Sequence, residues 1–307
     1  MSEHNNREVK NYMLSIDDVK DDTKDVADDL SYDPSEEFFA ERVSILGVPC
    51  DIVPNDDLQK VIYQLLKKKE HSNIVLLSLW DLLRARSNTE YRNYVQNASL
   101  IIPISKSIVS GAHFLTGKTL VRYMPFNFIV QLLTILEKRE YSMYLLGGKS
   151  VVLTKTEKNI RQTFPKLRII GRYPGNIKKQ DEDTLLTVIR KSSPSLLLVG
   201  QGVHGREKWL AKNDARLNTA LRLWCSDIFE VFSERRRRPS SAIFNRGLEW
   251  IGFSFQKPLR FFRVFPFIFY NILLVLNKLK RSNKSSNQGE QTHTAQADST
   301  IEAEKNN

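Results

Sequence analysis

The sequence predicts an α/β domain built on a Rossmann-like, mainly parallel sheet with helices on both faces, followed by a basic, helical C-terminal appendage. Three observations predict it. Short Leu- and Val-rich runs alternate with longer segments of helical periodicity from residue 42 onward. Glycines gather just after those runs, where an open α/β sheet places its loops. The last apolar run, Val264 to Leu276, is framed by lysine and arginine on both sides.

The elements follow in order. "RVSILGVPCDIV" reads as an extended run, "NDDLQKVIYQLLKKK" as an amphipathic helix, "NIVLLSL" as a strand, "TEYRNYVQN" as a helix and "LIIPIS" as a strand. The alternation continues through "SMYLLGGK", "VVLTKTEKNIRQTF", "LRIIGRYP", "DTLLTVIRKS", "SLLLVGQG" and "LRLWCSDIF". Such near-continuous apolar runs, with little polar alternation, are what strands covered on both faces look like. The chain shows no internal repeat and no heptads.

Composition divides the 307 residues further. Residues 1–41 are acidic and poor in large apolar side chains, carrying 13 Asp/Glu against 4 Lys/Arg, and are expected to be a disordered tail. Residues 42–234 form the α/β domain, 235–280 the appendage, and the Ser, Asn, Gln and Thr rich stretch 281–307 a second polar tail. Removing the acidic tail from the formal +11 leaves +20 on the rest, a field that gathers anionic partners. Two cysteines, Cys50 and Cys225, each inside an apolar run, support neither a disulfide framework nor a thiolate metal cluster. The five histidines lack metal-ligand spacing, so no metal site is expected. The N-terminus has no basic start followed by an apolar stretch, which predicts a cytoplasmic protein.

Three post-strand loops carry paired glycines: Gly147 and Gly148, Gly171 and Gly175, Gly200 and Gly202. Glycine lets backbone amides approach a phosphate, and it also lets a chain turn sharply; the residues alone fit a nucleotide diphosphate cradle or simple tight turns. None forms the Gly-x-Gly-x-x-Gly fingerprint or a Walker loop, which disfavours a dinucleotide dehydrogenase or P-loop ATPase.

The C-terminal half carries a more specific pattern. Gly200, Gly202, Glu207 and Trp209 keep a "Gly-x-Gly-x-Pro-x-Gln-Glu-x-Trp" frame, with His204 and Arg206 at its proline and glutamine. Ser226 to Glu230 and then Arg238, Pro239 and Ser240 stand at "Gly-Gly-Ala-Phe-Asp" and "Arg-Ala-Pro". Gly247, Leu248, Glu249 and Trp250 keep "Gly-Leu-Glu-Trp" intact, followed by Pro258, Arg260 and Arg263. In order and spacing this block resembles the WecG/TagA/CpsF glycosyltransferases, most clearly after Leu196 and least before Lys118.

The resemblance implies a sugar transfer, with a UDP-linked N-acetylhexosamine as donor and a polyprenyl-diphosphate-linked acceptor, in envelope polysaccharide synthesis. It implies no cofactor beyond the UDP-sugar substrate. It also exposes a departure. The family's Asp-Gly turn, whose aspartate is the proposed general base, aligns with Ile104 and Ser105, and its Thr-x-Asn turn with Leu76 and Ser78. An isoleucine cannot take a proton from a sugar hydroxyl, so the base is unassigned. Asp81, Glu207, Asp227 and Glu230 are the carboxylates nearest the expected strand ends. Arg122 survives from "Arg-x-x-Gly-x-Asp" and, with Arg206 and Arg238, could hold a departing diphosphate. The resulting candidate substrate-binding set is Arg122, Gly147, Gly148, Gly200, Gly202, Arg206, Glu207, Glu230 and Arg238. The rival expectation is a catalytically inactive relative that binds a nucleotide or lipid phosphate as a scaffold or regulator.

The thirteen-residue run "VFPFIFYNILLVL" is short for a spanning helix, which needs about 20 residues. Its aromatic load between basic clusters fits a helix lying in the headgroup region of an anionic membrane surface, with Arg260 and Arg263 as membrane or acceptor-phosphate contacts. A core-packing final helix is the alternative. The run Arg235 to Arg238 has no accompanying nucleic-acid fold signature, and no nucleic acid is expected as partner. The expected place is therefore the inner face of the cell membrane, peripherally bound, with homo-oligomerisation left open.

Overall fold

The computed structural model describes residues 40–68, 71–236, 244 and 265–280. Its centre is a six-stranded, all-parallel sheet in the order β4-β3-β8-β7-β5-β6. The strands are β3 (Ser72–Leu77), β4 (Leu100–Pro103), β5 (Ser142–Leu146), β6 (Arg168–Tyr173), β7 (Leu196–Gly200) and β8 (Leu221–Ser226). The α/β architecture with helices on both faces is as the apolar runs predict. Both expected tails, apart from Ala40 and Glu41, lie outside the described residues, as do Arg238, Arg260, Arg263 and the "Gly-Leu-Glu-Trp" signature.

Helices divide between the two faces according to where their apolar stripes point. One face is covered by α1 (Leu58–Lys67), α5 (Pro125–Lys138), α6 (Ser150–Thr163) and α9 (Ile228–Phe232), which bury Ile62, Phe128, Leu133, Leu153, Phe229 and Phe232 against Ile74, Leu145, Leu198 and Leu223. The other is covered by α2 (Leu79–Ser87), α3 (Thr89–Gln96), α4 (Lys106–Thr116), α7 (Glu182–Ser192) and α8 (Glu207–Lys212), packed on Val75, Ile101, Tyr144, Leu197 and Val199. Residues of each strand thus alternate between two cores. α5 is apolar nearly all round, with eight buried residues, and starts where Pro125 sits at the first turn, the one place a missing N–H is harmless. α4 stops at Gly117, whose φ of +74° ends the helix in the left-handed region.

The first apolar run departs from expectation. Instead of joining the main sheet, Arg42 to Val53 folds back as an antiparallel hairpin of β1 (Glu41–Ile45) and β2 (Val48–Ile52). The turn is made by Leu46 and Gly47 at φ +52° and +84°, the two positive values that a tight hairpin requires. The hairpin sits beside β4: buried Asp51 accepts from the Ile101 amide at 2.7 Å and is paired by Arg42 Nε at 2.6 Å. That hydrogen-bonded pair holds the Arg42 guanidinium above its ordinary pKa. Cys50 and Cys225 are both buried free thiols, in β2 and β8.

A last helix, α10, spans residues 265–280. It packs on α4 through Tyr270 and Leu274, 1% and 6% exposed. Gly111 makes this close approach possible, because a Cβ there would lie 2.0 Å from the Tyr270 hydroxyl. That hydroxyl donates to the Ser107 carbonyl at 3.1 Å, and Lys278 lies over the Phe114 ring at 4.1 Å. The two helices therefore run side by side in the same direction.

Candidate active site at the carboxyl ends of the strands

Adjacent strands β3 and β8 send their following helices, α2 and α9, to opposite faces of the sheet. Such a reversal opens a crevice beyond the strand ends, where open α/β folds place ligands. Ser78 and Ser105 stand at the ends of β3 and β4, the glycine loops at the ends of β5 and β7, and Ser226 and Asp227 at the end of β8.

The half formed by β5 to β8 is held by backbone. Gly147 N donates to Tyr173 O at 2.9 Å, Gly148 N to Gln201 O at 2.5 Å, Gly175 N to Gly148 O at 2.9 Å and Gln201 N to Ser226 O at 2.9 Å. Four loops are laced together by main chain alone. Gly147 has no alternative here: its φ is +128°, and a Cβ would lie 2.7 Å from the Gly200 backbone. At Gly200 a Cβ would lie 2.5 Å from the Phe229 ring. The amides of Gly147 and Gly148 are thus engaged with neighbouring carbonyls, and these glycines serve close approach of the loops. Gly202, at φ +92°, is exposed in the loop after β7.

In the half formed by β3 and β4, side chains add to the backbone, where Ile104 N donates to the Leu77 carbonyl at 3.0 Å. Ser78 caps α2 in a reciprocal box: its hydroxyl accepts from Asp81 N at 3.3 Å, while its amide donates to Asp81 Oδ2 at 3.0 Å. The Ser78 hydroxyl also donates to Asp81 Oδ2. Ser105 Oγ accepts from Leu79 N at 3.0 Å, tying the two strand ends to each other. Arg122 donates from Nε to the Ile104 carbonyl at 3.0 Å and from Nη1 to the Phe244 carbonyl at 2.6 Å. Its guanidinium lies 3.7 Å from the centre of the Phe244 ring, and Phe244 is buried. Arg122 therefore stands beside Ile104 and also grips Phe244.

The remaining predicted residues spread along the same edge. Glu207 is buried and pairs with Arg84 of α2 at 3.2 Å, joining the loop after β7 to the helix after β3. Arg84 in turn lies 3.9 Å from the Tyr91 ring centre. Burial pushes the Tyr91 phenol well up, and the Asp81 and Glu207 carboxylates add to it. Arg206 is exposed, and its φ of +55° with ψ of −126° is a conformation that side chains rarely adopt. Asp227 pairs with Arg236. Glu230 follows in α9, and its Oε2 is buried with no hydrogen-bond partner among the described residues. Burial, with Glu230 adding to it, pushes the Cys225 thiol well above its ordinary value.

Arg122 lies between α4 and α5 beside the end of β4, where Tyr123 N donates to the Pro103 carbonyl at 3.1 Å, and Arg206 follows β7; these two strand positions are about 14 Å apart at the usual spacing. Sequence reasoning placed the carboxylates near the strand ends but missed their mutual commitments. The Ser-x-x-Asp spacing of Ser78 and Asp81 was a readable signal of the capping box. The half-exposed Trp80, one residue before Asp81, gave no such signal. Among the described residues no group of three His, Cys, Asp or Glu is placed to hold a metal ion.

α10 presents a second surface. Opposite Tyr270 and Leu274 it exposes Phe265, Ile268, Phe269, Ile272, Val275, Leu276 and Leu279, each about half accessible, while exposed Phe267 lies on the flank nearer Leu274. So many large apolar side chains on one face of a helix form a patch beyond the scattered exposures of ordinary surfaces. No helix among the described residues is long and apolar enough to cross a membrane.

Comparison with known proteins matches these features. Over residues 43–286 the chain fits the Glycosyl transferase WecG/TagA/CpsF family. It is similar to the N-acetylglucosaminyldiphosphoundecaprenol N-acetyl-beta-D-mannosaminyltransferase of Staphylococcus aureus strain MW2, 21% identical over 245 residues, which is 78% of this chain and 96% of that one. Similarity to the Bacillus subtilis strain 168 protein of the same description is 23% over 212 residues, 69% and 82% of the two chains. By the match over residues 43–286, this chain belongs to the WecG/TagA/CpsF glycosyl transferase family.

Proposed function

We propose that this chain transfers an N-acetylhexosamine from a UDP donor to a hydroxyl of a polyprenyl-diphosphate-linked glycan, working at the inner face of the membrane. The observation that carries this reading is the convergence, at one edge of the sheet, of strand-end hydroxyls and exposed Arg206, with the apolar face of α10 mounted on the helix that starts at that edge. In the transfer, the acceptor oxygen bonds to the anomeric carbon as the bond from that carbon to the UDP oxygen breaks. The electron pair leaves with the diphosphate, and the hydroxyl proton passes to a base. Arginines at the edge stabilise the departing charge, a role that planar guanidinium groups fill without a metal. The α10 face, with Lys278 and Lys280 at its end, would lie in the interface where such a lipid acceptor is presented.

One observation favours a second reading, a relative that binds these ligands without turning them over. Ile104 stands where the family's base is expected, and the carboxylates Asp81, Glu207 and Asp227 are each committed to a protein partner. Glu230 is the exception, with one buried carboxylate oxygen unpartnered among the described residues.

Calorimetric titration of UDP and UDP-N-acetylhexosamines separates these readings, followed by transfer assays on an N-acetylglucosaminyl-diphospholipid. Binding lost in Arg206→Ala, with turnover lost in Glu230→Gln, supports the transferase. Binding without turnover supports the inactive relative. A folded protein that binds neither nucleotide sinks the donor assignment. Sedimentation with anionic vesicles that survives simultaneous replacement of Phe265, Phe269, Ile272 and Leu276 by serine would sink the membrane assignment.

A further inference from the structure

We infer that Trp80 is the platform on which the donor's sugar ring lies, and so the residue that makes the protein prefer a sugar nucleotide to the bare nucleotide. The inference rests on the donor reading above and adds to it a contact for the carbohydrate.

Trp80 is half exposed, in the first turn of α2, two residues after Ser78, which caps that helix. Among the described residues of the α/β domain the exposed large apolar side chains are Trp80, Phe114, Val151, Ile170 and Val188, and Phe114 lies under Lys278. Trp80 is thus the open aromatic side chain at the ligand edge. An indole left half in water contributes little to folding there, whereas its flat apolar face fits a ligand that is apolar on one side and polar at its rim. A pyranose is such a ligand: its axial C–H bonds make an apolar face, and its hydroxyls lie around the edge.

Polar groups adjoin the backbone that carries Trp80. Ser105 Oγ accepts from Leu79 N, which leaves its own proton for a sugar oxygen, and Asp81 follows Trp80 directly. The platform is also rigid. Ser78 and Asp81 cap each other's amides on either side of Trp80, and Ser105 fixes Leu79, so the backbone carrying the indole is held at three points. A preorganised aromatic surface binds without having to order itself first.

The test compares wild type, Trp80→Ala and Trp80→Phe by calorimetry with UDP and with UDP-N-acetylhexosamine, alongside vesicle sedimentation. The expected result is that wild type binds the sugar nucleotide more tightly than UDP. Trp80→Ala should weaken the sugar nucleotide about tenfold while leaving UDP unchanged, and Trp80→Phe should retain most of the preference. The inference is overturned if Trp80→Ala binds the sugar nucleotide as wild type does, or if it loses UDP equally. Lost vesicle binding with unchanged sugar-nucleotide affinity also overturns it, since the indole would then be a membrane anchor. If wild type binds no uridine nucleotide, the donor reading fails separately, and the platform is read from quenching of tryptophan emission by free N-acetylhexosamine. Quenching present in wild type and absent in Trp80→Phe supports it; no quenching overturns it.

Discussion

The two halves of the ligand edge are built differently. Beyond β5 to β8 the loops are fixed to one another by main-chain hydrogen bonds and by glycines that no other residue can replace. Beyond β3 and β4 a single main-chain bond, from Ile104 N to the Leu77 carbonyl, is joined by the side chains of Ser78, Asp81, Ser105 and Arg122. Backbone lacing constrains residue identity only where a Cβ would collide, and it leaves the glycine pattern of the family legible in this chain. Side-chain bonding permits substitution wherever a new pair can form. Ile104 lies in that half, and Arg122 meets it through its carbonyl, which every residue has, so this contact puts no constraint on the side chain.

The comparison breaks most visibly at Gly147. Gly147→Val combines a disfavoured φ with overlap against the Gly200 backbone, and the two effects together should cost about 4 kcal/mol. Urea unfolding should show a large fall in midpoint or no folded protein. A midpoint within experimental error of wild type would mean that the loops are not laced as described.

Whether the halves form one cooperative unit is tested by alkali. Cys50 lies beside β4 and Cys225 in β8, and burial pushes both thiols up from an ordinary value of 9.0. An acid whose folded pKa is raised keeps its proton in the native state while the unfolded chain releases it. Its contribution is therefore intact below pH 9 and is lost as pH rises toward the folded value. The unfolded thiol is half ionised at pH 9 and the loss steepens toward about 1.4 kcal/mol per pH unit above it, so the pair should lower stability by about 2 kcal/mol between pH 9 and 10. Replacing either cysteine by alanine should flatten that slope equally if the sheet unfolds as a unit. A slope altered by Cys225→Ala alone would show that the β3–β4 half opens separately.

How much of this was readable in the chain follows the same division. Apolar runs disclosed the buried strands, because parallel strands covered on both faces have no polar alternation to blur them. The hairpin was hidden because its turn uses Leu46, at φ +52°, where Asn or Gly would have announced it, so Arg42 to Val53 reads as one run. The glycines were visible, but not the direction in which their amides point, which depends on loops from four different strands. The grip of Arg122 on Phe244 joins residues 122 apart in sequence, and no local pattern encodes it. The apolar face of α10 was legible as composition, and its seat on α4 was not, since the notch at Gly111 looks like any helical glycine.

That seat offers a smaller test. Gly111→Leu places side-chain atoms where Tyr270 and Leu274 now pack, and should cost about 2 kcal/mol, whereas Tyr270→Phe removes only the bond to Ser107 and about 1 kcal/mol. Thermal unfolding ranks the two. If Gly111→Leu proves the milder, α10 is not seated through this notch, and the side-chain-held half stands without it.

The smallest effect is the most informative about chemistry. Ser78→Ala removes the cap of α2 and one partner of Asp81, and a lost cap costs about 1 kcal/mol. The fold should survive, because Ser105 still holds Leu79 and the β5 to β8 lacing is untouched. What changes is the Asp81 carboxylate, which loses the bond from the Ser78 hydroxyl and keeps only that from the Ser78 amide. If Asp81→Asn abolishes turnover while Ser78→Ala, which loses the same cap, keeps it, Asp81 is the group that accepts the acceptor's proton. Equal turnover in the two variants would return Asp81 to capping alone, and would leave Glu230 as the carboxylate of this edge to test next.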